Sequence, residues 1–112
     1  METTVNNKLE SFEDIINGDK PVLVDFFAAW CAPCRMMKPI LEELHTQMGD
    51  KVRILKIDTD RTPAITETFQ ITGIPTLMLF QNGKLLWRNS GVTPAKQLVK
   101  IITQHSLINN NV

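Results

Sequence analysis

Apolar residues recur along this chain in two rhythms, one helical in spacing and one nearly continuous. Residues 8 to 17, "KLESFEDIIN", place Leu9, Phe12, Ile15 and Ile16 at helical spacing, and Asn17-Gly18 ends the run. "PVLVDFFA" (21–28) is a valine- and phenylalanine-rich run that predicts a central strand covered on both faces. Residues 33 to 48 predict the clearest helix: Met36, Met37, Ile40, Leu41, Leu44 and Met48 form one stripe, and Gly49 suits the position just past its end. Pro39 inside that helix removes an amide donor and crowds the preceding turn, so a kink is expected there. "VRILKID" (52–58) predicts a second strand, and "PAITETFQ" (63–70) a short helix begun by proline. "TLMLF", "QNGK" and "LLWRN" then read as a β-hairpin turning at Asn82-Gly83. Thr93 is placed to cap a last helix with Pro94 at its first position, burying Ala95, Leu98, Val99 and Ile102.

Strands separated by helices imply parallel pairing, and the hairpin adds an antiparallel edge. The expected architecture is therefore a mixed sheet with helices on both faces, of the α/β class. At 112 residues the chain is expected to form a single domain over 1–112, with 109–112 a frayed tail after the "NNN". Twelve basic and twelve acidic residues cancel and show no cluster, so neither nucleic acid nor membrane is an expected partner. No segment has the basic start and apolar run of a signal peptide, and none is apolar for long enough to span a bilayer. A cytoplasmic setting is expected on those grounds, where most thiols are held reduced.

That setting bears on "WCAPCR" (30–35), which contains both cysteines of the chain. Three readings compete: a metal clip, an inert buried pair and a redox couple. A structural zinc site needs four ligands, and His45 and His105 lie at unrelated spacings, so no metal is expected. Position favours the redox couple, because the pair falls where the strand 21–28 ends and the helix 33–48 begins. A Cys31 capping that helix faces unpaired amides and the positive end of the dipole, which favours thiolate over thiol. Cys34 lies one turn on, within reach of a disulfide. The expected roles follow: an exposed Cys31 attacks a substrate disulfide, and a sheltered Cys34 resolves the mixed disulfide. Asp25 interrupts an otherwise apolar strand, and its burial should raise its pKa unless backbone amides satisfy it.

With "VDFFAAWCAPC" (24–34), "KIDTD" (56–60), "GIPTLMLFQNG" (73–83) and Gly91 together in this order, the chain resembles the thioredoxin family over about residues 11 to 107. The resemblance implies a thioredoxin fold of about five strands and about four helices, whose first strand only "TTV" (3–5) can supply. It implies protein-disulfide reduction through a redox-active Cys31–Cys34 disulfide with no bound cofactor. Electrons would come from NADPH through a thioredoxin reductase, and the partners would be that reductase and disulfide-containing client proteins. Asp25 would take the proton from Cys34, and Lys56 would tune Asp25. Pro75 would be a cis-proline facing the cysteines, and the backbone of Ile74 would pair with an extended client segment. Trp30, Pro33, Ile74, Pro75, Gly91 and Val92 would form the flat apolar surface where partners dock, with the chain a monomer.

Two departures stand out from the family pattern. Its commonest insert between the cysteines is Gly-Pro, replaced here by Ala32-Pro33. Its usual "F-W-A-E-W" is Phe26-Phe27-Ala28-Ala29-Trp30, without one aromatic N–H and one acid. Alternatives to a reductase are a binding subunit of the same fold without turnover, or a disulfide oxidant or isomerase. A binding subunit needs no redox pair, and the oxidants usually replace the proline retained here as Pro33.

Overall fold

The structure, a computed structural model, describes residues 9–107; the strand expected at 3–5 and the tail at 109–112 lie outside them. The chain runs α1 (Leu9–Ile16), β1 (Val22–Phe27), α2 (Ala32–Met48), a 3₁₀ turn (Gly49–Lys51), β2 (Arg53–Asp58) and α3 (Pro63–Thr68), then β3 (Thr76–Gln81), β4 (Lys84–Ser90) and α4 (Ala95–His105). The four described strands form one sheet in the order β2-β1-β3-β4. β1 pairs parallel to β2 and antiparallel to β3, and β3 pairs antiparallel to β4.

The run of apolar residues in β1 makes it a central strand, because side chains of alternate parity feed two separate cores. Leu23 packs with Met37, Leu41 and Leu44 of α2 and Leu98 and Ile102 of α4. Val22, Val24 and Phe26 pack on the other face with Phe12 and Ile16 of α1 and Ile65 of α3. Phe12 centres that second core, its ring 6.3 Å from Phe26, 5.1 Å from Phe69 and 5.9 Å from Phe80, the last two edge-on. Asn82 and Gly83 both have positive φ, as the tight hairpin turn requires. The hairpin tip is tied to the end of α1 by Asn82 N–H to the Gly18 carbonyl and Gly83 N–H to the Ile16 carbonyl.

Four expectations need correction. β3 follows a helix yet runs antiparallel to its neighbour β1. With six residues, α3 rises only about 9 Å, less than half what a return along a strand would need, so the chain re-enters the sheet from the end at which β2 leaves it. Met36 is 60% exposed, because the buried stripe of α2 is Cys34, Met37, Leu41, Leu44 and Met48, with Ile40 half-buried on its flank. Thr93 does not cap α4: Pro94 occupies the cap position in an extended conformation, and the buried Thr93 hydroxyl has no hydrogen-bond partner among the described residues. Val99 is half-buried, and Ile101 takes the buried position in its place. α2 runs through Pro39 without interruption, with the proline on its exposed side. No described helix is long and apolar enough to cross a membrane.

Replacing Phe12 by alanine removes the ring around which the α1–α3 face is packed. The expected loss is about 3–5 kcal/mol of unfolding free energy in urea, with activity retained below the transition. A loss under about 1 kcal/mol would show that this face repacks without the ring.

Candidate active site

The pairing pattern brings several chain segments to one end of the sheet. β1 and β2 leave the sheet there, and β3 enters it there. A buried strand cannot bend until its ladder stops, and β1 stops at Phe27. Four residues later Cys31 takes the N-cap position of α2, with extended backbone (φ −87°, ψ 109°), and Pro33 falls in the first helical turn, where its missing amide is no loss. Cys31 Sγ accepts a hydrogen bond from the Cys34 amide at 3.2 Å. Cys31 and Cys34 are joined as a disulfide with Cα atoms 5.2 Å apart, inside the usual range for such bonds. On its other side, Cys31 Sγ lies 3.8 Å from the carbonyl oxygen of Ile74.

The expected contrast between an exposed Cys31 and a sheltered Cys34 is absent in this disulfide form. Cys31 is 4% exposed and Cys34 5%, because the pair packs into a small apolar cluster with Ala28, Phe27 and Ile74. What separates the two sulfurs is their neighbours. Cys31 has the helix amide and the Ile74 carbonyl, whereas Cys34 borders a cleft of about 290 Å³ lined also by Phe27, Arg35, Lys38 and Lys56.

Asp25 is fully buried in β1, opposite Lys56 of β2 and Leu77 of β3. Neither carboxylate oxygen has a hydrogen-bond partner among the described residues, so backbone amides do not satisfy it. Burial pushes its pKa from 3.8 up to about 7, against the opposing pull of the Lys56 charge. Lys56 is half-buried, with Nζ 4.8 Å from the centre of the Phe27 ring. A carboxyl that changes charge near neutrality, on the strand leading to a dithiol, is suited to exchanging a proton.

The remaining expected residues divide. The Ile74-Pro75 bond is cis. Trp30 is 68% exposed, Pro33 is exposed, and Ile74, Gly91 and Val92 are half-buried. Pro75 is buried and offers no docking surface of its own, since its carbonyl is held by the Gly91 amide at 2.8 Å and β3 begins at the next residue. Gly91 makes that contact with φ 112°, a conformation closed to residues with a Cβ.

Two contributors went unnoticed in the sequence. Asp60 accepts a hydrogen bond from the Trp30 indole N–H at 2.9 Å, which holds the exposed ring. Its place just past the end of β2, beside the end of β1, is the signal that could have found it. Met36, exposed on the second turn of α2, adds apolar surface that the helical stripe had assigned to the core. No group of three or more potential metal ligands occurs among the described residues.

The raised pKa makes stability depend on pH with a definite sign. Below pH 3.8 Asp25 is protonated whether folded or unfolded and contributes no pH dependence. Between 3.8 and about 7 only the unfolded chain ionises, so stability falls as pH rises and levels off above about 7. The displacement corresponds to about 4 kcal/mol. Asp25→Asn should therefore be more stable than wild type by up to that amount at pH 8, and nearly equal to it at pH 3.5, by urea unfolding. A difference independent of pH would mean that Asp25 does not titrate in this way.

Residues 3–104 match the family model described as Thioredoxin. The chain is 48% identical to "Thioredoxin Y2, chloroplastic" of Arabidopsis thaliana over 82% of its length and 56% of the relative's. It thus spans about half the length of the chloroplastic relatives that it matches. It is 41% identical to the thioredoxin of Rickettsia bellii over 100% of both chains. A solved thioredoxin structure from Malassezia sympodialis superposes with a TM-score of 0.81 at 35% identity, covering 96% of this chain and 91% of the other. By its fold, its disulfide at the β1–α2 junction and these matches, the chain belongs to the thioredoxin family.

Proposed function

We propose that this protein reduces protein disulfides by thiol–disulfide exchange. The observation that carries the proposal is the N-cap position of Cys31, with its sulfur 3.2 Å from the Cys34 amide. In the reduced form that amide and the helix dipole stabilise a thiolate on Cys31. The thiolate attacks one sulfur of the client disulfide, forming a mixed disulfide and releasing the other client sulfur as a thiolate, which takes up a proton. Cys34 then loses its proton to Asp25, through water, and attacks Cys31 Sγ. The Cys31–Cys34 disulfide forms, the second client thiol leaves, and two electrons have passed from the protein dithiol to the client.

Lys56 acts through Asp25 by opposing its upward pKa shift. Clients dock on Trp30, Pro33, Gly91 and Val92, and an extended segment pairs with the backbone of Ile74 beside Cys31. The dithiol is restored by NADPH through a thioredoxin reductase. The protein works as a monomer in the cytoplasm, where such a pair is held reduced and ready for clients.

With NADPH and a thioredoxin reductase, the wild type should reduce insulin and consume NADPH in step. Cys34→Ser should stop at a covalent adduct with insulin, and Cys31→Ser should give neither turnover nor adduct. Equal trapping by the two variants would reverse or dissolve the assigned roles, and no turnover by the wild type would refute the reductase reading.

The pH dependence of turnover tests Asp25. Below about 7 its carboxyl is already protonated and cannot accept the Cys34 proton, so the resolving step should quicken as pH rises through that value. Asp25→Asn should slow the step by roughly 10²-fold and remove the inflection. An unchanged profile would reduce Asp25 to a structural residue.

A further inference from the structure

The loop that delivers Ile74 to Cys31 has little hold of its own. It follows α3, a helix of six residues, too short to be stable alone, whose Ile65, Thr66 and Glu67 carbonyls accept from the amides of the turn that follows it. The chain leaves that helix through Gln70 in the left-handed region (φ 53°). Between there and β3 it carries Gly73, Ile74 and the cis Pro75.

Strand β4 grips this loop at three places. Gly91, just past the strand, donates its amide to the Pro75 carbonyl at 2.8 Å. Ser90 Oγ meets Thr76 Oγ1 at 2.9 Å, and that threonine hydroxyl also donates to the Gly73 carbonyl. The third grip is Arg88, whose Nη1 donates to the Phe69 carbonyl at 2.7 Å and Nη2 to the Gln70 carbonyl at 2.8 Å. One planar guanidinium thus spans two successive carbonyls at the turn out of α3, a geometry the single ammonium of a lysine cannot match.

We propose that Arg88 is a positioning residue for client docking: its two-point hold on Phe69 and Gln70 fixes the base of the loop and so sets the backbone of Ile74 for the client segment. The inference rests on the docking role given to Ile74 above. Arg88 is exposed, and water can replace it on both carbonyls, so its removal changes global stability little. Placement is what the bonds secure. Gly91 and Thr76 anchor only the far end of the loop. Removing Arg88 frees the Phe69 and Gln70 carbonyls at its near end and loosens the turn there. That turn keeps the packing of Phe69 and Ile71 on the core and the 3.0 Å bonds from Phe69 N–H to Ile65, Gln70 N–H to Glu67 and Ile71 N–H to Thr66. A client that must pair with the Ile74 backbone senses this loosening. A small disulfide that only has to reach Cys31 does not.

The test compares insulin with 5,5′-dithiobis(2-nitrobenzoate) as substrates for wild type, Arg88→Gln and Arg88→Lys. Arg88→Gln should raise KM for insulin about tenfold with kcat nearly retained, and leave the small disulfide within about twofold of wild type. Arg88→Lys should fall between them. The Gln70 and Ile71 amides should exchange hydrogen about tenfold faster in Arg88→Gln, with core amides unchanged. Equal losses on both substrates, an unchanged KM for insulin or unchanged amide exchange would each overturn the proposal. If the wild type reduced neither substrate, the reductase reading would fail instead, and amide exchange would still decide whether Arg88 holds the loop.

Discussion

The hydrogen bond from the Cys34 amide to Cys31 Sγ is the contact on which the active end of this protein depends. It exists because β1, covered on both faces, stays straight to Phe27 and hands the chain to α2 with a cysteine at the cap. A side chain at that position meets amides that have no partner in the helix and a dipole that favours negative charge. The sulfur that carries the chemistry is therefore also the helix cap. Helix stability and thiolate stability come from the same few atoms.

Asp25 works in the opposite sense. A fully buried carboxyl, opposite Lys56 and Leu77 in the sheet, has no hydrogen-bond partner among the described residues, and it destabilises the folded chain wherever it is ionised. Two cores, each with fully buried phenylalanine, leucine or methionine side chains, are large enough to absorb that penalty. What the fold gains is an acid whose charge changes near neutrality, placed on the strand that leads to the dithiol.

The brevity of α3 shapes the rest. Because that helix cannot carry the chain back along the sheet, β3 begins at the end where β1 and β2 finish. The cis Pro75 and the Ile74 carbonyl consequently arrive beside Cys31, although 43 positions separate Ile74 from it in the chain. β4 then braces this segment through Arg88, Ser90 and Gly91. The docking loop is thus positioned by a strand that carries no redox chemistry.

Much of this was legible in the residues alone. Apolar patterning with turn and proline signals located the four described α-helices and the four described strands, the Asn82-Gly83 pair marked the hairpin, and "WCAPC" after a buried strand marked the redox pair, because each depends on residues within a few neighbours. Local spacing does not report which way a strand runs or which flank of a stripe meets the core. The direction of β3, the exposure of Met36 and the displacement of Thr93 from the α4 cap therefore had to come from the folded chain. So did the equal burial of the two cysteines, since each sulfur is covered by residues from β1, α2 and the Ile74 loop together. The sequence by itself determined where the elements lie and which residues can do chemistry. Tertiary structure decided which of them meet, because Asp60 with Trp30 and Arg88 with the α3 turn are contacts between strand ends and loops that no local pattern encodes.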